Sequence, residues 1–423
     1  MHSILHVDIN SYFATLLQQE NPKLRGRPLG IIKDVGRTCI IAASKEAKLC
    51  GVQTGCSLTE AKQLCPNFIT VPADFDRYLD ATYRLKKIFS TISPQVYIYS
   101  LDEAFIDITD CQKYLYPSPY TLATKIQQKI KIELGNWVTC NVGIGPNRLL
   151  AKVASEISPK GSVLEINKTN RDAILSQVNF KDVCGIGYRL SKKLTRLGIT
   201  HPYQIRFFSE QDLQPLFGPF WSKELLRIAY GQESYNLSLI SKPNTQMKSV
   251  GRSITGYKLY DDEDEIAKII YNLTEEVTYK VRKMNLAGRQ VSIMLWGPFK
   301  NKRPLGWLAP TGSPIWNSHK TLKFYVSHTS EMFQIIYHEL YRNWQRDFKI
   351  IKFGVRLSLL EPIAQVPQLL WPKQQKLTKL YHAMDQVSDK YGLFTLKSAR
   401  MMNQPVIRPE VTGFLGDRIY LEL

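Results

Sequence analysis

Two adjacent carboxylates, Asp102 and Glu103, interrupt an apolar stretch of the sequence. Residues 99–108 (Y-S-L-D-E-A-F-I-D-I) have the composition of a buried β-strand, and burying two carboxylates without partners is costly. A third carboxylate, Asp8, lies in another strand-like run, residues 4–9. We expect the two strands to lie side by side, which would bring the three carboxylates together.

These three carboxylates favour metal-dependent phosphoryl transfer. Hard oxygen ligands suit Mg²⁺, which also keeps substrate phosphate oxygens in its coordination shell. Two such ions stabilise both the attacking and the leaving oxygen of an in-line phosphoryl displacement. The alternative is an Asp-Glu pair on an edge strand that faces water, and the dipeptide alone does not decide between the two.

Residues 184–199 (C-G-I-G-Y-R-L-S-K-K-L-T-R-L-G-I) form a second motif that can bind phosphate. Gly185 and Gly187 let backbone N–H groups approach a phosphate near a helix N-terminus, and Lys192 and Lys193 add positive charge. Helix–hairpin–helix modules of this kind bind the DNA backbone without reading its sequence. The leucines at 190, 194 and 197 are expected to share the buried face of the helix.

The elements that must position these residues follow from hydrophobic periodicity. In the first part of the chain, strand-like runs alternate with amphipathic helices, and a further helix is expected to start near Asn147. This order predicts an α+β layer with helices on one face of the sheet. The predicted strands are residues 4–9, 96–108 and 137–144, and the predicted helices are residues 77–92 and 121–134.

The rest of the chain divides into further regions. Short helices are predicted in residues 166–235, and a polar linker follows at 241–249. Residues 250–361 are predicted to form a second α+β unit, and one helix is predicted in the tail. In the second unit the strand-like runs are 290–296, 321–326 and 351–359, the helical runs are 265–281 and 329–346, and the tail helix is near 375–391.

The charge balance indicates a polyanionic partner. The 423 residues contain 56 Lys and Arg against 37 Asp and Glu, which gives a net charge of +19. A cationic surface of this size favours nucleic acid or an acidic membrane, although a merely basic protein would have the same composition. The first residues show neither the basic leader nor the small-residue cleavage site of a signal peptide, and no apolar run reaches the roughly 18 residues of a membrane span. We therefore expect neither a signal peptide nor a membrane partner.

The cysteine pattern is typical of reduced thiols. The seven cysteines include no C-x-x-C pair, which fits a cytoplasmic protein. A zinc site built from Cys50, Cys56 and Cys65 is an alternative, but their spacing differs from the common zinc patterns. We therefore expect these cysteines to serve mostly as small core residues.

A set of collinear motifs resembles the Y-family translesion DNA polymerases over residues 4–361. The form S-x-E-A-K-x-x-G-V and the tail helix near 380–392 are more similar to the UmuC-like branch than to the DinB-like branch. The matching motifs are VDINSYFA (7–14), ASKEAK with the following GV (43–52), SLDEAFID (100–107), VGIG (142–145), LAKVAS (150–155), the 184–199 hairpin, SVGR (249–252) and GVRLS (354–358).

This resemblance implies a right-hand polymerase of the α+β class. It would have a ferredoxin-like palm, small fingers, a helix–hairpin–helix thumb and an α+β little finger that grips duplex DNA. The implied ranges are the palm at 1–10 and 75–165, the fingers at 11–74, the thumb at 166–235, a linker at 236–249, the little finger at 250–361 and a C-terminal tail at 362–423.

The resemblance also implies the catalytic residues and their ligands. Asp8, Asp102 and Glu103, together with the backbone carbonyl of Ile9, would bind two Mg²⁺ ions, for which Mn²⁺ can substitute. The substrates would be primer–template DNA and a deoxynucleoside triphosphate.

The nucleotide would contact two further groups of residues. Phe13 would be a steric gate whose ring excludes a 2′-OH, with Tyr12 beside it; the alternative is that Phe13 is a core residue. Lys45 and Lys48 stand where the family often has Tyr and Arg on the triphosphate, and a lysine is a point charge without a bidentate fork. The family's K-P-x-G appears here as S-P-K-G, so Lys160 would replace the displaced lysine.

Two contact sets with macromolecules are implied as well. The first is with DNA. The second is with a sliding clamp, because bacterial members of the family often carry a clamp-binding peptide, Gln-Leu-x-Leu-Phe, in their tail. The tail of this chain contains a similar peptide that is one residue shorter. The alternative is that this segment is a loop packed on its own domain. The DNA-binding candidates are Gly185, Gly187, Lys192, Lys193 and Arg252, and the clamp-binding candidates are Gln368, Leu369, Leu370 and Trp371.

The expected activity is template-directed DNA synthesis at low fidelity, past damaged bases and without proofreading. A nucleotidyl cyclase on a similar palm is a rival, but it would need neither the hairpin nor the basic surface. A nuclease would need a further carboxylate cluster, which the sequence does not suggest. The remaining alternative is a catalytically reduced homologue that acts as a DNA-binding repair scaffold, although all three carboxylates are present.

Overall fold

The protein is described by a computed structural model that covers residues 3–33, 39–111, 118–239, 247–298, 314–367 and 372–401. The chain divides into two compact units. The first contains the described residues up to 239, Cys39 excepted, and the second contains those from 247 onward. Both units combine helices with sheets, so the fold is α+β, as the sequence predicts.

The strands are formed mainly by runs of β-branched and other apolar residues, which fit a pleated surface. Their bounds are β1 (Ile4–Ile9), β2 (Leu29–Ile32), β3 (Ile40–Ala43), β4 (Ile69–Pro72), β5 (Val96–Ile98), β6 (Glu103–Asp107), β7 (Cys140–Gly145), β8 (Val163–Glu165), β9 (Ser249–Tyr260), β10 (Leu286–Trp296), β11 (Ile315–Val326) and β12 (Ile350–Pro362).

Several helices begin at a side-chain cap, as Asn147 shows by accepting a hydrogen bond from the N–H of Leu150 at 2.9 Å. Among the described helices, none is both long and apolar enough to cross a membrane. The helices are α1 (Tyr12–Glu20), α2 (Lys45–Leu49), α3 (Leu58–Leu64), α4 (Phe75–Ser90), α5 (Pro119–Leu134), α6 (Arg148–Ile157), α7 (Arg171–Leu175), α8 (Tyr188–Arg196), α9 (Glu210–Ala229), α10 (Tyr235–Ser238), α11 (Glu263–Lys283), α12 (Thr329–Gln334) and α13 (Pro372–Tyr391).

β1 is the central strand of the sheet that carries the carboxylates. This sheet has the order β5-β6-β1-β7-β8, and β1 pairs antiparallel with both of its neighbours. Leu5, Val7 and Ile9 alternate onto one face, where they share a core with α4 and α5. The predicted adjacency of the strand of Asp8 and the strand of Glu103 is therefore confirmed.

The opposite face of the same sheet is covered by α6. Ile4 and Phe105 lie in one core with the apolar residues of α6. Two glycines of β7 permit this close approach, because a Cβ at Gly143 would lie 1.9 Å from the carbonyl oxygen of Ala151, and Gly145 is similarly crowded. The predicted arrangement with helices on one face is wrong, since these glycines make room for a second helical layer.

The segment 96–108 is a hairpin and not the single strand that the sequence predicts. β5 and β6 pair antiparallel with each other. The backbone N–H groups of Tyr99 and Ser100 both donate to the carbonyl oxygen of Glu103, at 2.9 and 3.1 Å, and this closes the turn. The turn itself contains large apolar residues, so hydrophobicity gave no sign of the reversal. As a result Asp102 lies in the turn and Glu103 begins β6.

α8 is the helix of the glycine hairpin motif. It begins after Gly187, and Gly185 has a φ of 91°, in the region that favours glycine. Leu194 is fully buried, but Leu197 is 43% exposed. The predicted apolar face is therefore wrong at Leu197, because the helix ends one residue earlier and Ile199 fills the core instead.

The second unit is built on a sheet of order β11-β10-β12-β9, covered by α11. β9 is a strand that the sequence did not reveal. Its first residues alternate Ser249, Gly251 and Ser253 with larger residues, and this polar, glycine-containing composition is typical of a linker. Pairing of β9 with β12 supplies the tertiary hydrogen bonds that override this local preference.

α11 carries buried polar residues. Glu276 accepts a hydrogen bond from Arg252 Nε at 2.6 Å, in an ion pair in which both side chains are buried. Glu275 has no hydrogen-bond partner for its Oε2 atom within the described part of the chain. Burial raises the pKa of Glu275 to about 7; Arg282 opposes the shift, and Glu276 and Asp385 add to it.

The predicted tail helix is confirmed as α13, and it packs against α11. Asp385 accepts two hydrogen bonds from Arg282, each at 2.8 Å. Asp389 accepts one from Tyr279 at 2.6 Å and one from Lys283 at 2.8 Å. The tail helix is thus held to the second unit by charge-assisted hydrogen bonds.

Candidate active site

Two neighbouring strands place Asp8 and Glu103 opposite each other. The two residues are Cα partners in the antiparallel pairing of β1 with β6. The N–H of Ile9 donates to the carbonyl oxygen of Asp102 at 3.0 Å, so Asp102 lies at the same end of β1. Its carboxylate accepts a hydrogen bond from the Ser100 hydroxyl at 2.6 Å. The structure thus brings the predicted metal ligands to one end of the central strand.

The pKa shifts of these carboxylates indicate that positive charge is short at the site. Burial, with Glu103 and Asp102 nearby, raises the pKa of Asp8 to about 7. Burial also raises the pKa of Asp102. For Glu103, burial alone would raise the pKa, but His6 and Lys152 lower it to about 2. Glu103 therefore has a compensating cation, whereas the two aspartates are short of one.

The cation beside Glu103 is Lys152 of α6, whose side chain is only 8% exposed. Its Nζ atom lies 2.9 Å from Glu103 Oε2 and 3.3 Å from Glu156 Oε1. Burial alone would lower the pKa of Lys152, but Glu103 and Glu156 raise it above its usual value, so the group is an ammonium ion. Sequence reasoning assigned no role to Lys152 or Glu156, although the LAKVAS motif contains the lysine.

His6 lies behind Glu103 and is fully buried. Its Nδ1 atom is 2.6 Å from the hydroxyl of Ser155, which donates to the carbonyl oxygen of Lys152 at 2.8 Å. Its Nε2 atom is 3.7 Å from Glu103 Oε2, so His6 acts on this carboxylate through a contact that is longer than an ordinary hydrogen bond. Burial lowers the pKa of His6, so the ring is neutral near pH 7. Sequence reasoning did not identify this residue either.

The cluster of carboxylates at this site would favour a divalent cation. One oxygen each of Asp8, Glu103 and Glu156 lie within 4.8 Å of one another. Carboxylate oxygens are the ligands that Mg²⁺ prefers, and the raised pKa values of Asp8 and Asp102 mark a site that a positive charge would stabilise.

One of the candidate triphosphate contacts, Lys48, lies near these carboxylates. Lys48 Nζ donates to the hydroxyl of Ser11 at 3.1 Å. Burial, with Lys160 nearby, lowers the pKa of Lys48, and the charges of Asp8 and Asp102 oppose this shift. Lys45 is exposed at the first position of α2.

The two candidate residues under the sugar differ in their surroundings. Phe13 is half-buried, stacks on Tyr78 with ring centroids 4.1 Å apart, and meets Phe75 edge-on at 6.2 Å. Tyr12 is buried, and its hydroxyl donates to the carbonyl oxygen of Tyr78 at 2.7 Å. The packing expected of a core residue is therefore present at Phe13, and its gate role stays a prediction. The hydroxyl of Tyr12 forms its hydrogen bond inside the protein.

The glycine hairpin keeps its candidate DNA contacts accessible. A Cβ at Gly185 or at Gly187 would meet no atom within 4 Å, so the backbone there is open to a ligand. Lys192 and Lys193 lie on α8. The ammonium group of Lys192 is 5.6 Å from the centre of the Tyr188 ring, and that of Lys193 is 4.9 Å from the centre of the Phe217 ring.

Arg252 is the DNA-binding candidate that lies in the second unit. It is 9% exposed and lies in the ion pair with Glu276. A guanidinium needs a carboxylate when it is buried, and α11 supplies one across the core of the second unit. The predicted DNA contact by Arg252 stays a prediction.

The clamp-binding candidates, Gln368, Leu369, Leu370 and Trp371, lie outside the described residues. Their role therefore stays a prediction.

Two solved structures are similar in fold to this chain. A Y-family DNA polymerase chimera of Dbh and Dpo4 has a TM-score of 0.69, with 84% of this chain and 98% of that chain covered at 22% identity. DinB from Sulfolobus solfataricus has a TM-score of 0.51 with the same coverage and identity. The fold is that of a Y-family DNA polymerase.

Sequence comparisons lead to the same family. The profile of the impB/mucB/samB family matches residues 7–156, and that of its C-terminal domain matches residues 247–370. DNA polymerase IV of Moorella thermoacetica is 31% identical over 396 residues, 92% of this chain and 94% of the relative. DNA polymerase IV of Bacillus anthracis is 28% identical, with 92% and 91% covered. The chain belongs to the impB/mucB/samB family of Y-family DNA polymerases.

Proposed function

We propose that this chain is a DNA-directed DNA polymerase that extends a primer by two-metal phosphoryl transfer and copies damaged templates at low fidelity, without proofreading. The observation that carries the proposal is the pairing of Asp8 with Glu103 on adjacent strands, with Asp102 at the same end of β1. Family membership supports it, and nothing favours the scaffold alternative.

The carboxylates would act by holding cations in place. Two Mg²⁺ ions, when bound, would stabilise charge on the attacking and leaving oxygens. Asp8, Asp102 and Glu103, with the carbonyl of Ile9, would hold them. Before a cation binds, Lys152 would keep Glu103 ionised, because its ammonium lies 2.9 Å from one carboxylate oxygen.

The lysines and aromatic residues would position the nucleotide. Lys48 and Lys160, with Lys45 on the same helix as Lys48, would neutralise the triphosphate as point charges. Phe13 would exclude a ribose by shape, and Tyr12 would support it from the core. The deoxynucleotide would thus be selected by repulsion of the larger sugar.

The remaining assignments concern DNA and partners. Gly185, Gly187, Lys192 and Lys193 would hold the DNA backbone, and the tail would bind the sliding clamp. We place the activity in the cytoplasm, where the DNA is. The assignment to the UmuC-like branch stays a prediction from the motifs, and the relatives named above are DNA polymerases IV. A phylogenetic tree that includes sequences of both branches tests this assignment. The proposed domains are the palm at 1–10 and 75–165, the fingers at 11–74, the thumb at 166–235 and the little finger at 250–361.

Primer extension with the purified chain and Mg²⁺ tests the proposal. We expect extension on an undamaged template and across an abasic site, and its loss in Asp102→Ala and Glu103→Ala. Glu165→Ala is a matched control, because this exposed carboxylate lies on β8 of the same sheet. Near wild-type extension by both active-site variants would overturn the metal-site assignment, and DNA binding without any extension would favour the scaffold.

A further inference from the structure

Lys152 is a buried cation in contact with a proposed metal ligand. Its ammonium lies 2.9 Å from Glu103 Oε2 and 5.4 Å from the centre of the Tyr99 ring. A buried ammonium is stable only when it is paired, and here the pairing uses an oxygen of the carboxylate that would bind the metal. A divalent cation at Glu103 would therefore meet a unit positive charge at short range.

A second acceptor for the ammonium lies one helical turn away. Glu156 follows Lys152 by four residues on α6, and its Oε1 atom lies 3.3 Å from Lys152 Nζ. Residues four apart share one face of a helix. Lys152 can thus move its hydrogen bonds from Glu103 to Glu156 by rotating its own side chain, without a shift of the backbone.

Within the described residues, the other basic side chain beside Glu103 is His6, whose Nε2 atom lies 3.7 Å from Glu103 Oε2. The oxygens of Asp8, Glu103 and Glu156 lie within 4.8 Å of one another, so their negative charges converge around the ammonium. Charge balance at this point depends on whether Lys152, a divalent cation or both are close to Glu103.

We propose that Lys152 is a positioning residue that competes with the divalent cation for Glu103, and that Glu156 accepts its ammonium when the cation binds. This inference rests on the proposed role of Glu103 as a metal ligand. Lys152 then sets the metal affinity of the site, and Glu156 raises that affinity by drawing the ammonium away. Glu156 acts through Lys152 and not as a ligand.

Mn²⁺ binding to the full chain, without DNA or nucleotide, tests this by electron paramagnetic resonance. Lys152→Gln is expected to tighten Mn²⁺ binding about tenfold, because a unit charge is removed near the ion. Glu156→Gln is expected to weaken Mn²⁺ binding about fivefold. In this variant the Lys152 ammonium can no longer move to Glu156, so it stays at Glu103 and opposes the metal ion. Lys87→Gln, an exposed lysine of α4, is the charge-matched control and should leave binding unchanged. Lys152→Met, checked for folding by circular dichroism, replaces Lys152→Gln if the latter is unstable.

The double variant Lys152→Gln/Glu156→Gln decides the role of Glu156. We expect Glu156→Gln to cost less affinity in this background than in the wild type, because only its direct charge effect remains and no ammonium is left for Glu156 to accept. A loss as large as in the wild type, or larger, would make Glu156 a ligand and overturn the proposal, as would weaker binding by Lys152→Gln. The Glu103→Gln variant tests the proposed metal site separately from the role of Lys152. If Glu103→Gln binds Mn²⁺ with wild-type affinity, Glu103 is not a metal ligand and the proposed site is wrong. If Glu103→Gln loses affinity but Lys152→Gln binds Mn²⁺ like the wild type, only the role of Lys152 is overturned.

Discussion

Replacing Glu275 with Gln is expected to stabilise the second unit at neutral and higher pH. Glu275 is 8% exposed, and burial raises its pKa from 4.5 to about 7. Between these values the folded protein keeps a proton that the unfolded chain has released. The free energy of unfolding therefore falls as the pH rises through this window, because the folded state binds more protons.

The size of the effect follows from the same pKa values. The difference between 4.5 and about 7 is about 2.5 units, and at 1.36 kcal/mol per unit this amounts to about 3 kcal/mol. Gln is neutral at every pH, and the surrounding charges of Arg282, Glu276 and Asp385 are unchanged in the variant. We expect the two proteins to be about equally stable at pH 4, and the variant to be more stable by about 3 kcal/mol at pH 8.

Hydrogen exchange of the α11 amides measures this in the full chain, after correction for the intrinsic pH dependence of exchange. Glu263→Gln is the control on the same helix. Glu263 accepts a hydrogen bond from Arg346 at 2.7 Å, its pKa is lowered, and its side chain is largely exposed, so this variant should lose a little stability at high pH. A Glu275→Gln stability gain of the same size at pH 4 and pH 8, or no gain at pH 8, would refute the reasoning.

Three further outcomes are expected. Phe13→Ala should lower the ratio of kcat/KM for dNTP over rNTP by about tenfold, measured by single-nucleotide incorporation; an unchanged ratio with lower stability would make Phe13 a core residue only. Lys48→Gln should raise the KM for dNTP by a larger factor than it raises the Kd for DNA. Equal factors for both would show that Lys48 does not bind the triphosphate. Asp385→Ala should leave Arg282 without its bidentate partner and increase hydrogen exchange in α13 by a factor on the order of ten; protection equal to wild type would show that other contacts hold the helix.

The part of the site that the sequence predicts is the part that local pattern determines. Alternation along residues 4–9 put Asp8 on the face away from Leu5 and Val7, and adjacency to the strand of Glu103 followed from the order of elements. Lys152 could not be found in this way. Its contact with Glu103 depends on how closely α6 docks on β7, which is a property of tertiary packing.

Other features that the sequence did not predict have the same physical origin. The turn before Glu103 contains large apolar residues, so a hydrophobic run hid the reversal of the chain. The ion pair that buries Arg252 depends on Glu276, which lies on a different element of the second unit. Residue type alone gives no sign of either contact.

The glycines of β7 have a genetic consequence. Gly143 and Gly145 touch no substrate in the proposed mechanism, yet the carbonyl oxygen of Ala151 would lie 1.9 Å from a Cβ at Gly143. Any side chain there must push α6 outward and carry Lys152 with it. A random-mutagenesis screen for polymerase-deficient alleles should therefore recover substitutions at Gly143 as often as at the carboxylates, and their revertants should map to residues of α6 that restore the spacing between helix and sheet.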